Sequence, residues 1–230
     1  EEISNIISND FFVLYQPAQI VSGDFYWCSA QGEKIIFVVA DCTGHGVPGA
    51  FMSMIGNTLL NEIVNERKVT DTKKIAGLLD EKIIHALHQH EGSEKYDGMD
   101  ISICCIDKEN KEIQFTGAHH SMYAHNGHLE KIKGDPFSIG GAQQQQSKLF
   151  TSQKIKYESG VRLYFLTDGY CDQSGGENNK RFTSRKFENL LIGMKSSHMA
   201  EQKEKLEQEF ENWKGNTKQR DDVLIVGIKC

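Results

Sequence analysis

Apolar runs of strand type repeatedly abut aspartate in this chain. "KIIFVVA" (34–40) leads into Asp41, "VRLYFLT" (161–167) leads into Asp168, and "VLIVGIK" (223–229) follows Asp221-Asp222. A further acid, Asp24 in "SGDFYW", comes soon after the strand-like "FFVLYQP" (11–17). Burying an unpaired carboxylate at the mouth of a core is expensive unless its charge is compensated. Carboxylates at the ends of buried strands can converge on one rim of a sheet. There they repel, and the remedies are a shared proton or a bound cation. Each position also has a plainer reading, since a lone aspartate after a strand serves as a turn former or helix cap. Asp41 could simply cap, and "TDGY" (167–170) could be an Asp-Gly turn.

The segment after Asp41, "DCTGHGVPGAFMSMIG" (41–56), combines Gly44-His45-Gly46 with Pro48 and an apolar helical pattern. Glycines there let backbone approach a metal or phosphate, and a helix start offers free N–H groups to an anion. Phe51, Ile55, Leu59 and Ile63 recur every four positions, with Met52, Leu60 and Val64 beside them, predicting a buried stripe on a helix over 48–66. Met52, Met54 and Met99 read as core filler. A second helix is expected over 71–90, capped by Asp71, with Ile75, Leu78, Leu79, Ile83 and Leu87 as its apolar stripe.

The middle of the chain turns to strands. "DISICCID" and "KEIQFTG" flank "KEN", "SMYAH" and "HLEKIK" flank Asn126-Gly127, and "KLFTSQKIKY" follows. A glycine-rich loop, "DQSGGENNKRF", leads into a helical tail whose Lys/Glu run at 201–209 reads as a solvated face, and "DVLIVGIK" closes the chain. "QQQQ" (143–146) is a short biased loop. Strands mostly adjacent in sequence, with helices in two blocks, predict an α+β fold with antiparallel sheets. With only 3 prolines and no interrupting linker, residues 1–230 are expected to form a single domain.

Composition narrows the partners. A net charge of −6 argues against a nucleic-acid partner. No apolar stretch approaches the roughly 20 residues that span a bilayer. The N-terminal "EEISNIISNDFF" is acidic where a secretory signal is basic and then apolar. A cytoplasmic placement of the domain is therefore expected. The chain starts without Met, so a longer parent protein, which could be membrane-anchored, is expected. The 6 cysteines include no Cys-x-x-Cys pair, and adjacent Cys104 and Cys105 would point to opposite faces of a strand. They read as reduced, packed thiols.

All-oxygen ligands select hard cations, so Mg²⁺ or Mn²⁺ fits this acid set better than zinc. Together, "SGDFYW", "DCTGHGVPGAFMSMIG", "DGMDISICCID", "FTGAHHSMY", "LYFLTDGYCDQSGG" and "QRDDVLIVGIK" resemble, in order, the SpoIIE-type serine/threonine phosphatases, a bacterial branch of the metal-dependent (PPM, type 2C) protein phosphatases. The resemblance implies a PPM-type antiparallel β-sandwich flanked by α-helices, with two Mn²⁺ or Mg²⁺ ions at one edge. Carried over by position, Asp41 would bridge the ions and the carbonyl of Cys42 would complete one of them. Asp168 and Asp221 would bind the other ion, with Asp222 the alternative to Asp221. Asp24 would hold a metal or its water, and His45 would act nearby or as general acid. Asp97 and Asp100 lie where the superfamily sometimes places a third metal-binding acid. Eukaryotic members carry Glu-Asp where this chain has Gly23-Asp24, and a phosphate-gripping arginine with no equivalent nearby in this sequence.

The resemblance also implies a phosphoserine/phosphothreonine substrate, typically an anti-sigma-factor antagonist, and an upstream sensor or regulatory region. It implies regulation, often by homodimerisation, through the helices following Gly46. Two other classes compete: a non-catalytic signalling module that kept the fold, and a haloacid-dehalogenase-like phosphatase. The latter needs an Asp-x-Asp nucleophile pair, which is absent at Asp168. No Cys-x₅-Arg loop is present for a cysteine-based phosphatase. His119-His120 and His85/His88 could be read as metal pairs, but no other soft ligand accompanies them.

Overall fold

Apolar segments, near-continuous in the central strands, pair into two antiparallel sheets in the computed structural model, which describes residues 10–44, 46–89, 97–141 and 148–230. His45 and the glutamine run lie outside the described residues. The first sheet has the order β1 (Phe11–Gln16), β13 (Val223–Lys229), β10 (Arg162–Leu166), β6 (Ser121–Asn126), β7 (His128–Lys133). The second runs β2 (Phe25–Gln31), β3 (Lys34–Cys42), β4 (Gly98–Asp107), β5 (Glu112–Ala118), β9 (Gln153–Lys156), with the two-residue β8 (Ile139–Gly140) beside β4. A small hairpin, β11 (Ser174–Gly175) with β12 (Lys180–Arg181), lies apart.

The helices are α1 (Val47–Leu60, continued by a π-helical turn Asn61–Glu66), α2 (Thr72–Ala86), the short α3 (Gly169–Asp172), α4 (Ser184–Gly193) and α5 (Met199–Lys214). Three apolar layers hold the four tiers together. Phe37, Val39, Phe115, Phe165 and Val226 pack between the sheets. Val38, Ile101 and Ile103 meet Met52, Leu60, Ile75, Leu79 and Ile83 of α1 and α2. Tyr164 and Ile225 meet Tyr170, Phe187, Leu206 and Phe210 of the other helices. Each fully buried Leu or Ile stabilises by about 1.5–3 kcal/mol. The result is the expected α+β sandwich in α-β-β-α layers. No disulfide links the 6 cysteines, and Cys104 and Cys105 face different cores.

Local chemistry fixes the elements around the acids. Pro48 lies in the first turn of α1, where its missing N–H leaves no bond unmade. Asp71 caps α2, its side chain accepting from the Lys74 N–H at 3.0 Å. The expected stripe of α1 needs correction. Phe51 is 63% and Met54 66% exposed, while Gly49, Met52, Gly56 and Leu60 face the core. Glycine explains the choice of face: a Cβ at Gly56 would stand 2.9 Å from the Phe25 ring, so α1 packs close against β2 and a larger residue there would displace that ring. β2 was not anticipated from sequence. "KLFTSQKIKY" supplies a strand only at Gln153–Lys156, and the helical tail divides into α4 and α5.

Candidate active site

Register gathers the acids at one end of both sheets. Phe25 of β2 pairs with Ala40 of β3, which places Asp24 beside Asp41. Asp41 in turn lies directly opposite Asp100 on β4. In the other sheet Leu166 pairs with Ile225, so Asp168 emerges next to Asp221-Asp222. Thr167 stitches the two sheets together. Its Oγ1 donates to Asp24 Oδ2 at 2.6 Å and accepts from the Leu224 N–H at 3.0 Å.

Glycines allow this convergence. A Cβ at Gly49 would stand 2.1 Å from the Gly44 carbonyl, and one at Gly23 would stand 2.7 Å from it. The Asp24 loop, the Gly44 loop and the start of α1 therefore meet backbone to backbone. At Asp168 the sequence is no simple Asp-Gly turn. Asp168 is the N-cap of α3, and Gly169 is required because a Cβ there would lie 2.0 Å from the Asp222 carbonyl oxygen.

The two adjacent aspartates behave differently. Asp222 is 2% exposed, and its carboxylate accepts from the Ala18 N–H at 2.7 Å and the Gly23 N–H at 2.9 Å. It anchors the loop that carries Asp24. Asp221 is exposed on the rim, with Oδ1 accepting from the Asp222 N–H at 2.9 Å.

Burial and mutual repulsion load this rim with free energy. Burial chiefly, then Asp24, Asp168, Asp221 and Asp100, push the Asp41 carboxyl up to about 9. Asp24 is pushed up to about 8 by burial and by Asp222, Asp221 and Asp168, against the Thr167 hydrogen bond. Asp168 is raised by burial, Asp221, Asp172 and Asp100, and lowered by Arg181. Asp100 is handled separately, accepting from Ser138 Oγ and lying 2.8 Å from His119 Nδ1.

The remaining sequence candidates disperse. Asp97 accepts from Thr43 Oγ1 at 3.2 Å. His119 pairs with Asp100 whereas His120 Nδ1 lies 2.9 Å from Ser102 Oγ, so the two do not form a ligand pair. His85 and His88 have ring centroids 6.5 Å apart. Met52 and Met99 are in the core, unlike Met54. Sequence reasoning gave no role to Thr167, Ser138 or Arg181. The threonine could have been flagged by its place between a buried strand and Asp168. The cleft next to Asp168 also includes His119, Lys131 and Ser184.

Among the described residues, no three His, Cys, Asp or Glu side chains stand close enough to enclose a metal ion on their own. The donor set nevertheless fits a hard cation. It is all oxygen, it is held at the ends of rigid strands, and burial first, then the neighbouring carboxylates, hold the Asp24 and Asp41 carboxyls well above the usual carboxylate range.

This architecture is that of the PP2C phosphatase domains. It superimposes on the SiaA-PP2C domain of Pseudomonas aeruginosa with a TM-score of 0.90 at 28% identity, over 100% of this chain and 89% of that one. The PP2C phosphatase domain of Bacillus subtilis SpoIIE, solved with a fragment of its regulatory domain, gives 0.76 at 16% identity, covering 96% and 63%. RsbX in complex with magnesium gives 0.63 at 15% identity, covering 96% and 94%. The profile of the family Stage II sporulation protein E (SpoIIE) matches residues 31–230, and the chain belongs to that family. Family and fold together support a serine/threonine phosphatase. A sequence comparison with curated proteins finds no match. No helix among the described residues is long and apolar enough to cross a membrane.

Proposed function

We propose that residues 1–230 act as one Mn²⁺- or Mg²⁺-dependent phosphatase domain for phosphoserine and phosphothreonine proteins. The observation that carries this is the convergence of Asp24, Asp41, Asp168 and Asp221 from both sheets onto one rim with too little positive charge to balance them. Asp41 and the Cys42 carbonyl would hold one ion, Asp41 would share the second with Asp168 and Asp221, and Asp24 would complete the set. Asp221 is preferred to Asp222, whose oxygens are taken by the Ala18 and Gly23 amides. When bound, two such ions would acidify an attacking water and neutralise charge on the phosphoryl group.

The chain's own groups supply position and charge. Thr167 fixes the Asp24 carboxylate, and Asp222 fixes the loop beneath it. Arg181, held by Asp172 at 2.9 Å, and Lys131 in the cleft beside Asp168 offer positive charge in place of the arginine that eukaryotic members carry. His45 would serve as general acid or orienting residue. The substrate would be a phosphorylated anti-sigma-factor antagonist. An upstream sensor would act through α1 and α2, and the exposed Val47, Phe51 and Met54 offer a homodimer surface.

The test is hydrolysis of an aryl phosphate, stimulated by Mn²⁺, abolished by chelator and lost in Asp41→Asn. Full activity in Asp41→Asn or Asp168→Asn refutes it. One rival is a signalling module that binds without catalysis, whose signature would be degenerate metal ligands; the intact Asp24, Asp41, Asp168 and Asp221 argue against it. Calorimetry showing no Mn²⁺ uptake at millimolar concentration would select that rival.

A further inference from the structure

Arg162 opens β10 at the end away from the acids. It lies directly opposite His125 of β6 and Lys229 of β13. Directly opposed residues share a sheet face. That face looks toward α4 and α5, because Leu163 and Phe165 fill the inter-sheet core while Tyr164 meets the helices. Lys195 and Ser196, between α4 and α5, close over it. With the turns at 126–127 and 158–160 they bound a cavity of about 360 Å³.

Charge in this cavity is unbalanced. Lys229 is matched by Asp10 at 2.6 Å. Arg162 beside it has no ion pair among the described residues, and its Nε is buried without a hydrogen-bond partner. His125 is 7% exposed. Burial first, then the charges of Arg162, Lys195 and His128, hold its imidazole below the usual range. Glu158 lines the wall but pairs with neither Arg162 nor Lys195 among the described residues. A buried Nε–H without an acceptor is costly, and the forked N–H groups of this half-buried guanidinium match the oxygens of a phosphate.

We propose that this cavity is a phosphate-binding site, with Arg162 as the anchor and Lys195 as the supporting donor. The strand between Arg162 and Asp168 separates it from the acidic rim by about 20 Å, so it is a second site, independent of how that rim is read. The phosphate comes either free or on a phosphorylated side chain.

The test titrates inorganic phosphate, and separately a phosphoserine peptide, into chelator-treated protein followed by ¹H–¹⁵N NMR. Saturable shifts are expected at the Gly127, Gly160 and Ser196 amides. Arg162→Gln and Lys195→Gln should each weaken binding at least about tenfold. Lys195 is exposed, so its substitution leaves folding intact should Arg162→Gln fail to fold. Equal affinity for the two probes identifies free phosphate as the ligand, and tighter peptide binding identifies a phosphoprotein. No shift with either probe, or shifts that survive Lys195→Gln or a folded Arg162→Gln, overturns the proposal.

Discussion

The two ends of β10 carry opposite charge, and only one of them can discharge itself. Past its C-terminal end, Asp168 joins Asp24, Asp41 and Asp221, and the repulsion among them is relieved by protons, since Asp24 and Asp41 hold theirs up to about 8 and 9. At its start, Arg162 shares a face with His125, but a guanidinium cannot give up its proton in a protein. The imidazole there yields instead, by losing its proton more readily. A carboxylate cluster can therefore wait for a cation in a neutral form. The arginine stays charged whether or not an anion is present.

The largest effect that sharpens this contrast is at Asp41. Asp41→Asn should lower phosphatase activity at least about a hundredfold, judged against the 10–100-fold effects of residues that merely support a ligand. The same change should raise the melting temperature of the metal-free protein by at least about 2–4 °C, the equivalent of about 1 kcal/mol at this size. Activity loss without that gain in stability would mean that Asp41 is not under repulsion. Next in size is a pH effect. Asp24 and Asp41 bind their protons more tightly folded than unfolded, so the stability they confer is full below the ordinary carboxylate pKa of about 4 and is lost progressively as pH rises to about 8 and 9, above which it stays lost. Melting of the chelated protein should fall over that window, and saturating Mn²⁺ should flatten the slope. A slope unchanged by Mn²⁺ would separate the acids from metal binding.

Asp222 should move the other way from Asp41. Asp222→Ala strands the Ala18 and Gly23 amides, and each unmade buried bond costs about 1–3 kcal/mol. Denaturant unfolding should show that loss with or without metal. A loss seen only with Mn²⁺ present would reinstate Asp222 as a ligand.

Some of this was readable before any coordinates. Apolar runs abutting Asp41, Asp168 and Asp221-Asp222 announce strands with an acidic rim, because a short, near-continuous apolar run reads as a strand buried on both faces and its length fixes where the acid emerges. Asp71 and Pro48 marked helix starts for local reasons that need no tertiary context. Phe51 was misjudged because α1 is apolar on two faces, and the buried one is chosen by Gly49 and Gly56, whose contribution is close approach rather than hydrophobicity. β2 escaped notice because "FYWCSAQ" mixes aromatic and polar residues with little buried alternation. The division of labour between Asp221 and Asp222 depends on which backbone amides face the second one. The Asp100–His119 pair depends on strand register and a bridge between Ile101 and His119. Neither is written in local sequence.

The smallest expected effect lies at the basic end, where charge can be removed with little loss. Lys229 and Asp10 form a pair at 2.6 Å, with side chains 35% and 37% exposed. Exposed pairs of this kind contribute about 0.2–1 kcal/mol, so Asp10→Asn should lower stability by no more than that. Arg162→Leu removes a charge with no ion-pair partner to strand among the described residues, and it should leave the melting temperature unchanged or slightly raised in phosphate-free buffer. The aliphatic stem of leucine can still cover Tyr164 and His125 on the same face. Adding phosphate should stabilise the parent protein and not Arg162→Leu, because a ligand stabilises only the form that binds it. If Arg162→Leu is instead strongly destabilising in plain buffer, the guanidinium has structural partners, and the two ends of β10 are not the matched opposites described above.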